Sequence, residues 1–222
     1  GYPVQNNLYQ LDVDTRIKAL VSFDGRKRKG PINNYYEWCQ TQYGDFLTEN
    51  FYLKYTNKYW RTPMDEMSTD WLGGRLLPVN LKRVYGGCFG AVSNEAVFSE
   101  FLYPKKGGFQ TFFKHMIKNL NISYNKDVQL INCNSKIVSF TDGSSIKYDK
   151  LINTSPLKEF ANKCDISSLL KPLTYELFYL NLIQSVVYVD RKAIDIQSLP
   201  HWFYVYDTDK DFCRVMVMDK VS

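Results

Sequence analysis

Histidine is scarce in this sequence, with His115 and His201 the two present. That scarcity speaks against a multi-histidine metal centre. The five cysteines, Cys39, Cys88, Cys133, Cys164 and Cys213, form no C-x-x-C pair, and their number is odd. A disulfide framework and a structural zinc site are both disfavoured, and reduced thiols in a cytoplasmic protein are the simplest reading. No apolar run reaches the roughly 18 residues a membrane helix needs, and no charged, apolar, small-residue leader opens the chain. There is no G-x-G-x-x-G behind a strand and no P-loop. Gly86-Gly87-x-x-Gly90 reads as a flexible connection. No Ser/His/Asp set stands out as a catalytic centre. A dinucleotide cofactor would therefore need a phosphate cradle outside these residues. The opening Gly1-Tyr2-Pro3 lacks a methionine and reads as the start of an excised piece, with that cradle expected upstream.

What is present is globular. Of the 222 residues, 45% are apolar and 23% charged, which excludes a disordered chain. Aromatic residues make up 16%, with 17 Tyr and 14 Phe, enough both to fill a core and to line a site that stacks on flat ligands. A net charge of +5 suits an anionic ligand such as a diphosphate, and also weak nucleic-acid binding. The one dense basic cluster, Arg26-Lys27-Arg28-Lys29, reads as a solvated loop, so nucleic acid is not an expected partner.

Helical patterning dominates the first half and strand patterning the second, so the fold class is α+β. Helices are expected over Leu11 to Leu20, over Asn34 to about Phe51 with a break at Gly44, and over Phe109 to Leu120. Met64 to Leu81 suggests a helical turn and a loop. Val128 to Ile131 reads as a strand. Lys136 to Thr141 and Ser145 to Ile152 read as a hairpin about Asp142-Gly143, and Pro156 to Lys163 as a short helix. Leu177 to Asp190 alternates loosely and is expected to be a long strand. Trp202 to Tyr206 and Cys213 to Met218 read as two strands around a polar turn.

Three dense blocks mix aromatics, amides and cations in a way that a core does not require: Tyr2-Pro3-Val4-Gln5-Asn6-Asn7-Leu8, the stretch from Phe51 through Trp60 and Trp71 to Arg75, and Phe101 to Gly108. With Ile152-Asn153-Thr154-Ser155-Pro156-Leu157 and the set Trp202, Tyr204 and Arg214, these motifs run in a fixed order along essentially the whole chain. They resemble the UDP-galactopyranose mutase family, in its broader branch related to flavin-containing amine oxidases and protoporphyrinogen oxidases. Singly, Arg75 would be an ordinary surface ion pair and Trp202 an ordinary core residue. The order of the motifs is what gives them a ligand role.

The resemblance implies a fragment of an FAD enzyme. Residues 1–125 would be a mainly helical substrate-binding region. Residues 126–165 would be a hairpin and strand end from an incomplete Rossmann-like, FAD-binding part. Residues 166–222 would add sheet, antiparallel or mixed, to the substrate-binding part. The implied reaction is contraction of a UDP-hexopyranose to the furanose through a covalent flavin–sugar intermediate, in surface polysaccharide biosynthesis. Arg75 and Arg214 would hold the diphosphate as bidentate forks. Trp202 and Tyr204, on one face of a strand, would bound the sugar and bond a phosphate. Gln5 would read a uracil edge, with Tyr2, Phe51 and Trp60 stacking nearby. Val128, Thr154 and Pro156 would touch the cofactor. This chain alone is expected to be inactive and to bind FAD weakly or not at all.

Two departures bear on the substrate. Thr56 stands where the family has asparagine, and Phe98 where many relatives have another. Both remove polar contacts and keep open an alternative, an FAD-dependent oxidoreductase of the amine oxidase or protoporphyrinogen oxidase type.

Overall fold

The computed structural model describes residues 3–27, 30–73, 76, 79–91 and 102–218. Tyr2, Arg75 and Phe98 lie outside the described residues. The chain divides into two compact units, one of Gly1–Phe109 with Tyr188–Ser222 and the other of Gln110–Val187.

The first unit opens with two short 3-10 turns, Val4–Asn6 and Leu8–Gln10. Helix α1, Val13–Asp24, begins where the Asp12 carboxylate accepts from the Thr15 amide at 2.9 Å, which satisfies one of the free amides of the first turn. Helix α2, Tyr35–Tyr43, starts in the same way. Asn34 accepts from the Glu37 amide, and Glu37 reaches back to the Asn33 amide at 2.8 Å. The Met64 and Met67 carbonyls accept from the amides of Tyr36 and Tyr35, so the loop after Pro63 covers the start of α2.

The break expected at Gly44 is present. Gly44 has φ +80, and a Cβ there would lie 2.5 Å from the Ser22 carbonyl oxygen. Glycine is thus required both for the left-handed backbone and for the close approach to α1. Beyond it the chain does not stop near Phe51. Helix α3, Asp45–Leu47, passes through a π turn, Thr48–Tyr52, into α4, Leu53–Trp60.

Helix α5, Leu81–Cys88, replaces the flexible glycine connection expected from sequence. Gly87 is buried, and a Cβ on it would lie 2.2 Å from the Asn6 carbonyl oxygen. Its lack of a side chain lets α5 pack directly on the Val4–Asn6 turn. The core of this unit gathers Leu8, Phe23, Tyr43, Leu47, Met64 and Val84, each at most 1% exposed. The unit is completed by a hairpin of β4, Trp202–Tyr204, and β5, Arg214–Met216.

The second unit holds α6, Thr111–Ile117, and a three-stranded antiparallel sheet of β1, Val128–Asn132, β2, Ile137–Phe140, and β3, Ser145–Lys147. Helices α7, Leu157–Lys163, and α8, Ser167–Thr174, follow. Ile131, Val138 and Cys164 form its small core. With this, the fold class is α+β, as expected.

Two strand expectations are corrected. Strand β3 ends at Lys147 rather than Ile152. In the Ile152-to-Leu157 motif, Asn153 instead accepts from the backbone amide of Ser155 at 3.2 Å, a local Asx turn that competes with strand pairing. Residues 177–190 form no strand. Their apolar alternation has no partner strand among the described residues, and Ile183 and Tyr188 are 89% and 95% exposed. Without a partner to accept its backbone hydrogen bonds, an alternating pattern alone does not make a strand.

Candidate functional site

In the first unit, the stretch from the π turn into α4 forms one wall of an aromatic cavity of about 170 Å³. A π turn inserts one extra residue, and such turns recur where a helix must present side chains to a site. Here it delivers Phe51 and Tyr52, followed at helical spacing by Tyr55, Thr56, Tyr59 and Trp60. Helix α4 ends at Arg61, whose left-handed backbone (φ +53) turns the chain away. Tyr204 and Tyr206 face α4 from the hairpin, Tyr35 and Trp71 close another side, and Val4 and Leu76 supply the aliphatic contacts.

The rings contact one another almost without interruption. Tyr55 meets Tyr204 edge-on at 5.0 Å and stacks on Tyr59 at 5.6 Å. Tyr59, Trp60, Trp71 and Tyr35 continue the series at separations of 5.0, 5.6 and 5.1 Å. Phe51 meets Tyr206 edge-on at 5.3 Å. Ring pairs of this kind add stiffness and energy beyond the area they bury, so the walls are preformed. Burial pushes the hydroxyls of Tyr35 and Tyr55 well above the ordinary tyrosine range, with Arg214 partly offsetting this at Tyr55. Both remain neutral donors at physiological pH. The buried indole N–H of Trp71 has no hydrogen-bond partner among the described residues.

Phe51, Trp60 and Tyr204, all expected in the site, line this cavity. Gln5 stands behind the wall, 3% exposed, where its Oε1 accepts from the Tyr52 hydroxyl at 2.7 Å. Trp202 shares the half-buried face of β4 with Tyr204 but is not in the lining. Arg214 pairs directly across the ladder from Tyr204, exposed and with no hydrogen bond or ion pair to the described residues. Tyr2 and Arg75 fall outside the described residues. Val128, Thr154 and Pro156 are all in the second unit: Val128 opens β1, Thr154 is exposed in an irregular stretch, and Pro156 precedes α7.

Sequence reasoning did not single out Tyr55, Tyr59, Tyr206 or Lys58 for the site. The tyrosines carried a usable signal, because Phe51, Tyr55 and Tyr59 recur every four residues and so share one helix face. Lys58 lies beside them, with its ammonium donating to the carbonyls of Val205, Asp207 and Phe212 at 3.1, 2.8 and 2.8 Å.

A flavin's diphosphate needs a strand, a tight glycine loop and a helix N-terminus in succession. The described residues offer none. The glycine-rich run that might have served is inside α5, where Gly87 meets the Asn6 backbone. The described residues suit a flat ring flanked by an anion, and they do not suit the flavin diphosphate.

No protein-family model matches this chain. Among solved structures, a crystal structure of reduced UDP-galactopyranose mutase matches with a TM-score of 0.64 at 25% identity, over 74% of this chain and 37% of that one. The chain thus spans little more than a third of the length of that structure, and its fold is similar to that part of UDP-galactopyranose mutase.

Proposed function

We propose that this chain is the substrate-binding portion of a flavin-dependent sugar-nucleotide enzyme of the UDP-galactopyranose mutase kind, and that the aromatic cavity of the first unit receives a UDP-hexose. The observation that carries the proposal is the cross-strand pair of Tyr204 and Arg214. It sets a guanidinium with no hydrogen bond or ion pair among the described residues opposite a ring of the cavity wall. A planar cation beside a preformed aromatic slot suits a diphosphate attached to a flat base, because the fork bonds two oxygens at once while the rings hold the base. Gln5 has its carbonyl engaged by Tyr52 and would offer its NH₂ to a base carbonyl. Trp71 has an N–H to give to a sugar or base oxygen. In this reading Arg75 adds a second cation and Tyr2 a further ring. Trp202 bounds the sugar from the β4 face.

The chemistry of such a reaction belongs to a reduced flavin whose diphosphate would be held by residues outside this chain, with Val128, Thr154 and Pro156 proposed as further contacts from this chain. The part assigned to these residues is to bind, orient and stabilise the leaving diphosphate. Saturation-transfer NMR of the longer, reduced protein with UDP tests the reading. Saturation of the uracil protons is expected, and its absence would sink the proposal. Binding of an apolar ring compound in place of UDP would favour the oxidoreductase alternative, which Thr56 in the cavity wall already leaves room for.

A further inference from the structure

The β4–β5 hairpin is small, with three paired residues on each strand. Two-stranded ribbons of this size are marginal by themselves in water, so something outside the ladder must hold this one in place. Ring contacts from Tyr55 to Tyr204 and from Phe51 to Tyr206 contribute. Ring contacts are broad in geometry, and they place the hairpin less sharply than hydrogen bonds do.

Lys58 supplies what the rings do not. A lysine ammonium has three donors, and here all three are used, on the carbonyls of Val205, Asp207 and Phe212. Val205 lies between the two hairpin tyrosines of the cavity, and its own amide donates to the Cys213 carbonyl at 3.0 Å, next to Arg214. Phe212 and Asp207 lie on opposite arms of the turn. A single charged atom therefore ties both strands to the helix that carries the opposite cavity wall.

From this geometry we infer that Lys58 is a positioning residue. It clamps the β4–β5 hairpin onto α4 and so sets the place of Tyr204 and Arg214 relative to the aromatic wall. The inference rests on the nucleotide-sugar reading for its functional consequence, though not for the clamp itself. Charge-assisted hydrogen bonds are the stronger kind, and no neutral side chain at position 58 can reach three divergent carbonyls. Arginine, with its donors fixed in a plane, cannot converge on them from one point.

The test compares the longer, reduced protein with its Lys58→Met and Lys58→Gln variants by amide hydrogen exchange and by titration with UDP and with uridine. Exchange at Val205 and Val215 is expected to rise about tenfold or more in Lys58→Met, and less in Lys58→Gln, which keeps two donors, while amides of α1 stay unchanged. Affinity for UDP should fall about tenfold, while affinity for uridine, which meets the Tyr204 ring but lacks the diphosphate for Arg214, should fall by a clearly smaller factor. General loss of structure would instead weaken both ligands together. Should Lys58→Met fail to fold, Lys58→Gln alone carries the comparison. Unchanged exchange at the hairpin overturns the clamp, and equal loss of UDP and uridine overturns the positioning role. If the longer protein without substitution binds neither ligand while hairpin exchange still rises in the variants, the clamp stands and the nucleotide-sugar reading falls.

Discussion

The Tyr52 hydroxyl donates to Gln5 Oε1 at 2.7 Å, joining the π turn to the first 3-10 turn across 47 positions of sequence. Tyr52 also stacks face to face on buried Tyr43, with ring centres 4.3 Å apart and planes within 6°. One tyrosine thus connects the core, the cavity wall and the amide proposed to read a base.

Tyr52→Phe keeps the stack and removes the donor. The Gln5 carbonyl is then left buried without its partner, at a cost of about 1–2 kcal/mol. Thermal unfolding should show a midpoint lower by roughly 2–8 °C. An unchanged midpoint would mean that water replaces the hydroxyl.

Gly87→Ala is expected to be far more damaging than an ordinary glycine-to-alanine change in a helix. The new methyl would meet the Asn6 carbonyl oxygen at 2.2 Å, so α5 must retreat from the Val4–Asn6 turn. A loss of about 3 kcal/mol follows from overpacking of this kind. Chemical denaturation with a tryptophan fluorescence readout measures it, and the Gln5 side of the cavity should loosen at the same time.

Arg214→Met should leave stability within about 0.5 kcal/mol, because the side chain is exposed and unpaired among the described residues. It should lower UDP affinity about tenfold and flatten its dependence on salt. Arg214→Lys should recover little, since an ammonium cannot make the paired contact. Calorimetric titration at two ionic strengths decides the matter, and full recovery by lysine would remove the bidentate role.

Cys133 offers a prediction about pH. Burial, helped by its hydrogen bond to Asp165, pushes its thiol up to about 11. Because the folded value exceeds the ordinary 9.0, the folded state binds the proton more tightly. Stability is unaffected while both states stay protonated and falls as pH climbs from about 9 through 11. Alkylation of Cys133 by iodoacetamide, followed by mass spectrometry, should therefore keep accelerating well past pH 9. A plateau at pH 9 would contradict this.

The helix starts, the break at Gly44 and the hairpin turn at Asp142-Gly143 were legible because caps, left-handed glycines and turn dipeptides act through a few neighbouring residues. The pairing of Tyr204 with Arg214 was half legible, since two short strands around a polar turn were clear and the exact register was not. Helix α5 was hidden because Gly86 and Gly87 weaken local helix preference, and the packing of Gly87 on Asn6 overrides it. Residues 177–190 misled because alternation records apolar content and does not guarantee a strand partner. Lys58 stood within the Phe51-to-Trp60 block, but its role was illegible for a deeper reason. Its partners are backbone carbonyls some 150 positions away, and a carbonyl leaves no mark on residue identity.

The π turn at Thr48–Tyr52 makes the cavity sensitive to length as well as to composition. Each residue of an α-helix turns the chain by about 100°. A single deletion within this turn would restore ordinary helical winding and swing Tyr55, Tyr59 and Lys58 together out of phase with the hairpin. The sequence composition would be almost unchanged, yet the wall would face another direction. Among homologous chains, gaps should therefore be rarer between positions 48 and 52 than substitutions are, because there a missing residue acts as a rotation.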